Sequence, residues 1–273
     1  MPAPARRMAT IIPKRRTATT STRIITVTGM DTITPTETHR TAVGSGDAAL
    51  LRLLTWLSPS FPVGAFSYSH GIEYAVEAGL VPDVTALTAW VSTIVARGAG
   101  RVDAALFCRA YRAMQAGDDA DLAETLARAD ALRGTSEMAR ESAAQGDAFL
   151  LAVRAVWPDP RLDALAGSAA VDRRPVAYAV AVGAVAAVHD VPLAPALAAF
   201  VHATAANLVS AGVRLVPLGQ TDGQRALAAL EPVILATIAD VRSRPFADIG
   251  TAAPVVDWSS MRHETQYTRL FRS

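Results

Sequence analysis

Ser67, Ser69, His70 and Glu73 lie in one short stretch, and a hydroxyl, an imidazole and a carboxylate are the parts of a nucleophilic relay. A working serine nucleophile also needs a strained turn that presents its hydroxyl, and donors for the oxyanion. No Gly-x-Ser-x-Gly surrounds either serine, and Ser67 reads more simply as the cap of a helix. A helical serine hydrolase using Ser67 or Ser69 with His70 is therefore the alternative reading, not the first. His39, His70, His189, His202 and His263 form no pair four apart and no His-Glu-x-x-His, so they announce no metal centre. Cys108 is the only cysteine, which excludes an intrachain disulfide and any multi-cysteine metal cluster. Lys14 is the only lysine and sits in Ile-Ile-Pro-Lys-Arg-Arg, so no Gly-Lys-Ser/Thr phosphate loop exists. Gly98-Ala99-Gly100 lacks the third glycine of a dinucleotide fingerprint and follows a helical pattern, not a strand. The sequence thus offers no catalytic residue, no metal ligand set and no directly bound cofactor.

Two polar groupings are more specific. Glu137, Glu141 and Gln145 recur every four residues, with Arg140 beside them and Gly146 next. Helical spacing puts them on one side, where Glu137 and Arg140 can pair at i, i+3. A solvated face is the usual reading of such a pattern; buried, it would be a hydrogen-bond layer between helices or subunits. Arg214, Gln220, Asp222 and Gln224 cluster around Leu-Val-Pro-Leu-Gly-Gln-Thr-Asp, where Pro217 ends one helix, Gly219 permits a turn and Thr221 or Asp222 caps the next.

The elements that must position these groups are helical. The chain is 51% hydrophobic but only 6% aromatic, so its apolar weight lies in Ala, Leu and Val, which suits close-packed helices. Leu50, Leu53, Leu54 and Leu57 form one apolar stripe behind Asp47. Two prolines in residues 58–64 break that helix. Further helices are expected over 67–78, from Asp83 with Leu87, Val91, Ile94 and Val95 as the buried face, then over 104–116, 119–132, 136–156, 176–188 and 196–213. A last long helix over 222–242 contains Pro232, which predicts a kink or break near Glu231. The run 176–188 is too short to span a bilayer, which takes about 20 residues, and reads as a central helix. The expected fold class is all-α, a single compact multi-helix domain of about nine or ten helices, with a flexible amino-terminal arm and a carboxyl-terminal docking tail.

The formal net charge of +1 conceals two parts. To residue 40, Arg6, Arg7, Lys14, Arg15, Arg16, Arg23 and Arg40 stand against Asp31 and Glu37, a net of +5; the remainder carries −4. A mildly acidic body does not suit nucleic acid. Residues 1–46 read as a disordered basic Thr/Arg-rich arm, or as the product of a mis-assigned start for which Met8 or Met30 would serve, ahead of an organelle transit peptide. No apolar stretch with a small-residue cleavage site argues for secretion. Residues 47–245 form the helical domain and 246–273 a partner-binding tail. Trp258, Tyr267, Leu270 and Phe271 in that tail are costly to leave in water, so either they pack back or they order on a partner.

Four stretches together resemble one family, the urease accessory protein F (UreF) family. They are residues 57–73 (LSPSFPVGAFSYSHGIE), 207–224 (NLVSAGVRLVPLGQTDGQ), 263–273 (HETQYTRLFRS), and the pairs Arg140-Glu141 and Gln145-Gly146. The resemblance spans about residues 48–273 and leaves out the arm. His70 stands where the family more often has Gln, and Arg173-Arg174 precedes Pro175 where His is common. The resemblance implies an all-α homodimer, cytoplasmic and without catalytic activity of its own, that meets neither nucleic acid nor membrane. It implies binding to UreD (also called UreH), recruitment of the GTPase UreG, and delivery of nickel to apo-urease, with nickel and GTP handled by the partners. It places partner-binding residues at Tyr68, Glu73, Arg140, Glu141, Gln145, Arg214, Gln220, Asp222, Gln224, Tyr267, Arg269, Leu270, Phe271 and Arg272.

Overall fold

The computed structural model describes residues 45–171 and 174–273. The expectations for residues 1–44 and for Arg173 lie outside the described residues. The described residues form eleven α-helices, two short 3-10 turns and no strand, so the chain is all-α, with one or two more helices than expected.

At the centre lies α8 (Tyr178–Val188), in which every residue from Ala179 to Val188 is buried. Its Ala and Val side chains have no polar face to turn outward, so the helix must be enclosed. The neighbour that covers most of it is α4 (Ala99–Ala116). Close approach there depends on Gly183, where a Cβ would fall 2.5 Å from the Phe107 carbonyl oxygen. Phe107 itself is fully buried and stacks at a tilt on Phe200, ring centroids 5.2 Å apart.

Around this pair pack α3 (Val84–Arg97), α6 (Ser136–Val156), α9 (Leu193–Leu215) and α10 (Gln220–Ser243). The starts follow their caps: Asp83 accepts from Ala86 N at 2.8 Å and Thr135 from Met138 N at 3.2 Å. Leu87, Val91, Ile94 and Val95 are buried as the periodicity demands. α9 is long and apolar enough to cross a membrane by length and composition, and half of its most apolar window is buried within the fold.

Four expectations need correction. In α1 (Ser45–Trp56) the inward stripe is Ala49, Leu53 and Trp56, while Leu50 and Leu54 are 55% and 62% exposed. The helix is rotated so that Trp56 can enter the core against Trp157 and His189. Second, α10 continues as one helix through Pro232, so the chain does not break at Glu231. Pro232 is on the exposed side, where water can satisfy the carbonyl that its missing N–H leaves free. Third, α7 (Pro160–Val171) has too short an apolar stripe, Leu162, Leu165 and Ala169, to stand out from an alanine-rich stretch.

The fourth correction matters most to the site. No single helix covers 67–78. A 3-10 turn at Ala65–Ser67 is followed by left-handed backbone at His70 (φ 52°) and Gly71 (φ 75°), and α2 is only Ile72–Glu77. Ser67 makes no capping hydrogen bond, because α2 starts five residues later. Gly71 is required twice over: its φ is positive, and a Cβ would lie 2.6 Å from the main-chain nitrogen of Ser260. Ser260 belongs to α11 (Pro254–His263), which packs against α2 and α6. The carboxyl-terminal segment is therefore folded onto the body, with α5 (Asp119–Ala131) elsewhere, packed against α4.

Candidate functional site

Three glutamates that helical spacing alone would leave in water are buried together. Glu73 comes from α2, and Glu137 and Glu141 from α6, with Gln145 one turn further on and buried too. The polar face of α6 is thus an interior hydrogen-bond layer, not a solvated surface. Each carboxylate is held by groups from the carboxyl-terminal segment. Glu137 accepts from Arg269 Nη1 at 2.7 Å and lies 2.7 Å from His263 Nδ1. Glu73 Oε1 accepts from Leu270 N at 2.6 Å, and its Oε2 from Phe271 N at 2.9 Å; Oε2 also lies 3.1 Å from His263 Nε2. Glu141 accepts from Gln145 Nε2 at 2.9 Å and Ser273 Oγ at 2.7 Å, and meets His70 Nε2 at 2.8 Å.

The main chain closes the arrangement. Arg272 N donates to Ser67 O at 2.8 Å and Ser69 N to Ser273 O at 2.8 Å, while Ser69 Oγ also donates to Ser273 O. At the other end Glu264 accepts from Ser136 N at 3.2 Å and Ser136 Oγ at 2.7 Å, capping the start of α6. The segment from Glu264 to Ser273 is thus strapped across the first turns of α2 and α6. Its two faces differ. His263, Phe271 and Ser273 are buried, whereas Tyr267 is fully exposed and Leu270 is 77% exposed.

Arg214 extends the cluster. Its guanidinium stacks on Phe66 at 3.6 Å and on Phe271 at 4.5 Å, and Nη1 donates to Phe66 O at 2.9 Å. Three stretches more than fifty residues apart in sequence, near Phe66, Arg214 and Phe271, meet at this one side chain.

A family profile described as UreF matches residues 81–231. The urease accessory protein UreF of Rhodopseudomonas palustris strain HaA2 is 51% identical over 226 residues, covering 83% of this chain and 94% of the relative. The chain belongs to the UreF family of urease accessory proteins. UreF of Bradyrhizobium diazoefficiens is 50% identical over 83% of the chain and 92% of its own length. UreF of Xanthobacter autotrophicus is 49% identical over 85% and 96%.

In this UreF-family chain the sequence-selected residues fall into three groups. Glu73, Glu141, Gln145, Arg214, Arg269, Leu270, Phe271 and Arg272 are brought together in the strap and its anchors, and Tyr267 stands on the strap's exposed side. Gln220 and Gln224 sit apart with Arg214 and Phe66 around a small pocket of about 330 Å³. Tyr68, Arg140 and Asp222 do something else. Tyr68 is buried. Arg140 does not pair with Glu137, which turns inward; it binds Ser136 O at 3.2 Å and Ser136 Oγ at 3.1 Å on the exposed side. Asp222 accepts from Gly219 N at 3.2 Å and Arg225 Nη1 at 2.7 Å, which finishes the start of α10 locally. Helix α10 opens at Gln220, so neither Thr221 nor Asp222 is its N-cap.

Sequence reasoning passed over His263 and Glu137 as site residues. The available signal was an acid pair at i, i+4 on α6 with only Arg140 at a matching offset, one base for two acids, so a further partner had to come from elsewhere in the chain.

The Ser–His pairing that a hydrolase would need is not made. Ser69 Oγ is buried against Ser273 O, and His70 Nε2 faces Glu141. Burial works to lower the His70 pKa, but the Glu141 carboxylate, helped by Asp103 and opposed by Arg133, raises it above the ordinary value. Burial pushes the Cys108 thiol up to about 11, so it is protonated and inert at neutral pH. Among the described residues, no group of three or more His, Cys, Asp or Glu is arranged to hold a metal ion. Beside the strap, α1, α6 and α9 enclose a mostly apolar cavity of about 600 Å³, with His70, Glu141 and Gln145 in its polar lining and Leu50 and Leu54 at its apolar side.

Proposed function

We propose that this protein is a urease maturation factor that works by binding rather than by catalysis. With UreD (UreH) it forms a platform that recruits the GTPase UreG and couples GTP hydrolysis to nickel insertion into apo-urease. Nickel and GTP stay with the partners, and the protein acts as a cytoplasmic homodimer within the larger complex. Family membership supports the role in urease maturation. The observation that carries the docking role is the strap, with Phe271 and Ser273 anchored inside while Tyr267 and Leu270 stand in solvent. An isolated large apolar side chain in water is unremarkable, but two on a segment whose other face is pinned form a rigid recognition edge.

The test is co-purification of the full chain with UreD and UreG, with stoichiometry by size exclusion and light scattering, alongside urease activation in a deletion strain at limiting nickel. A stoichiometric complex and loss of urease activity on deletion are expected. A chain that stays alone with both partners present, or full urease activity in the deletion strain, would overturn the reading.

A further inference from the structure

His263 is fully buried with a carboxylate oxygen at each ring nitrogen, Glu137 Oε2 at 2.7 Å from Nδ1 and Glu73 Oε2 at 3.1 Å from Nε2. A neutral imidazole has one N–H, so it can donate to only one of them and would present a lone pair to the other. The second proton could sit on the ring or on a carboxyl. The carboxylates have other claims on them. Glu73 accepts two main-chain N–H groups through its two oxygens, and Glu137 accepts a guanidinium N–H from Arg269. Those donors favour ionised carboxylates. With both ionised, Arg269 and an imidazolium bring the cluster to zero net charge; a neutral ring would leave one negative charge uncompensated in a buried site, which is costly.

Five other charged groups on the packed elements have contacts of their own. On α2, Glu77 accepts from Gln266 Nε2 at 2.5 Å. On α6, Arg140 binds Ser136, and Glu141 binds His70, Gln145 and Ser273. On α11 itself, Arg262 lies over the Tyr74 ring at 5.9 Å, and Glu264 is on Ser136. None of these reaches the His263 ring.

We propose that His263, as an imidazolium bridging Glu73 and Glu137, is the positioning residue of the docking strap, so that the closed strap holds one more proton than the open one. When the strap opens, the ring is freed to lose that proton to solvent. By linkage, closure is favoured at lower pH and weakens as pH rises, by at most about tenfold in the closed-to-open ratio per pH unit for a single proton. His70 on Glu141 acts in the same direction, since the Glu141 carboxylate raises its pKa in the folded state. The inference rests on the docking role of the strap stated above, and it has a readout that needs no partner.

The experiment uses the full chain labelled with 15N. Imidazole nitrogen shifts and amide exchange at Leu270 and Phe271 are followed from about pH 6 to about pH 9, with exchange corrected against an exposed amide for intrinsic base catalysis. Both nitrogens of His263 should carry protons wherever Leu270 and Phe271 are protected, and protection should fall as that proton leaves. His263→Gln should expose the two amides and reduce their corrected pH dependence to the part that His70 contributes. Should His263→Gln fail to fold, Glu137→Gln serves instead, because an amide can donate to a neutral ring; its strap should stay protected at high pH. A neutral His263 ring in a protected strap, or an unchanged profile in the variant that folds, overturns the proposal.

UreD affinity measured over the same range should follow strap protection, and affinity that ignores it overturns the positioning role. Unaltered UreD binding by a chain lacking residues 267–273 would instead sink the docking reading while leaving the proton-linked strap intact.

Discussion

The α4–α8 core and the carboxyl-terminal strap are both buried, and they are held by different physics. Between α4 and α8 the contacts are Ala, Val and Phe surfaces, brought close by Gly183. Apolar burial of this kind is non-directional and indifferent to pH. The strap buries less apolar surface and depends on carboxylates, imidazoles and a guanidinium that each need a partner in one place. Such a network is strong when complete and costly when one member is missing. The strap should therefore respond to pH and to single polar substitutions where the α4–α8 contacts do not.

The largest expected effect breaks the core. Phe107→Ala should cost about 3–5 kcal/mol by loss of transfer energy plus a cavity. Urea denaturation checks it, and in the molecules that remain folded the Leu270 and Phe271 amides should keep their protection.

Removing residues 267–273 comes next. It takes out buried Phe271 and the Arg269 partner of Glu137, and leaves Glu73 and Glu141 short of donors. A cost of about 2–4 kcal/mol follows from losing one side of buried pairs together with one apolar anchor. The melting temperature should drop accordingly in a thermal scan. A tail that merely waited for its partner would leave that temperature unchanged.

Glu73→Gln tests the strap more finely. It keeps the shape but removes the charge that His263 and two main-chain amides share, and about 1.5–3 kcal/mol is expected, as for hydrogen bonds to charged groups. Exchange at Leu270 and Phe271 should rise while core amides of α8 stay unchanged.

A smaller effect is a pH dependence at His70. Its folded pKa is raised, so its stabilising contribution is complete below the unfolded value and is lost as pH rises through the folded one. Stability measured against pH should show a smaller loss in His70→Gln than in the native chain, by the part that His70 contributes. Last, Tyr267→Ala and Leu270→Ala should change stability by no more than about 0.5 kcal/mol, as exposed substitutions do. Titration calorimetry with UreD should nonetheless show weakened binding, and an unchanged affinity would remove the exposed edge from the interface.

Much of the core was legible because its signals are local. The α3 stripe and the Asp83 cap need only the spacing of a few neighbours, and the 176–188 run is apolar on every side. The strap was legible as a set of polar and aromatic residues but not as one object. Glu137 looked free to pair with Arg140 because helical spacing allows it; the true partners, Arg269 and His263, lie more than a hundred residues away. The break at His70 and Gly71 was hidden for the same reason, since what demands it is the approach of Ser260.

The sequence by itself determined that this is an all-helical chain, that it has no Gly-Lys-Ser/Thr phosphate loop and a single cysteine, and which family it resembles. These follow from composition, periodicity and short motifs, which need no knowledge of long-range contacts. Only the tertiary structure decided that three acidic side chains point inward and that the carboxyl-terminal segment is their counterpart. It also decided which of that segment's aromatic and apolar residues remain in water. A buried charge is stable only where its partner arrives, and in this protein the partners arrive through the fold.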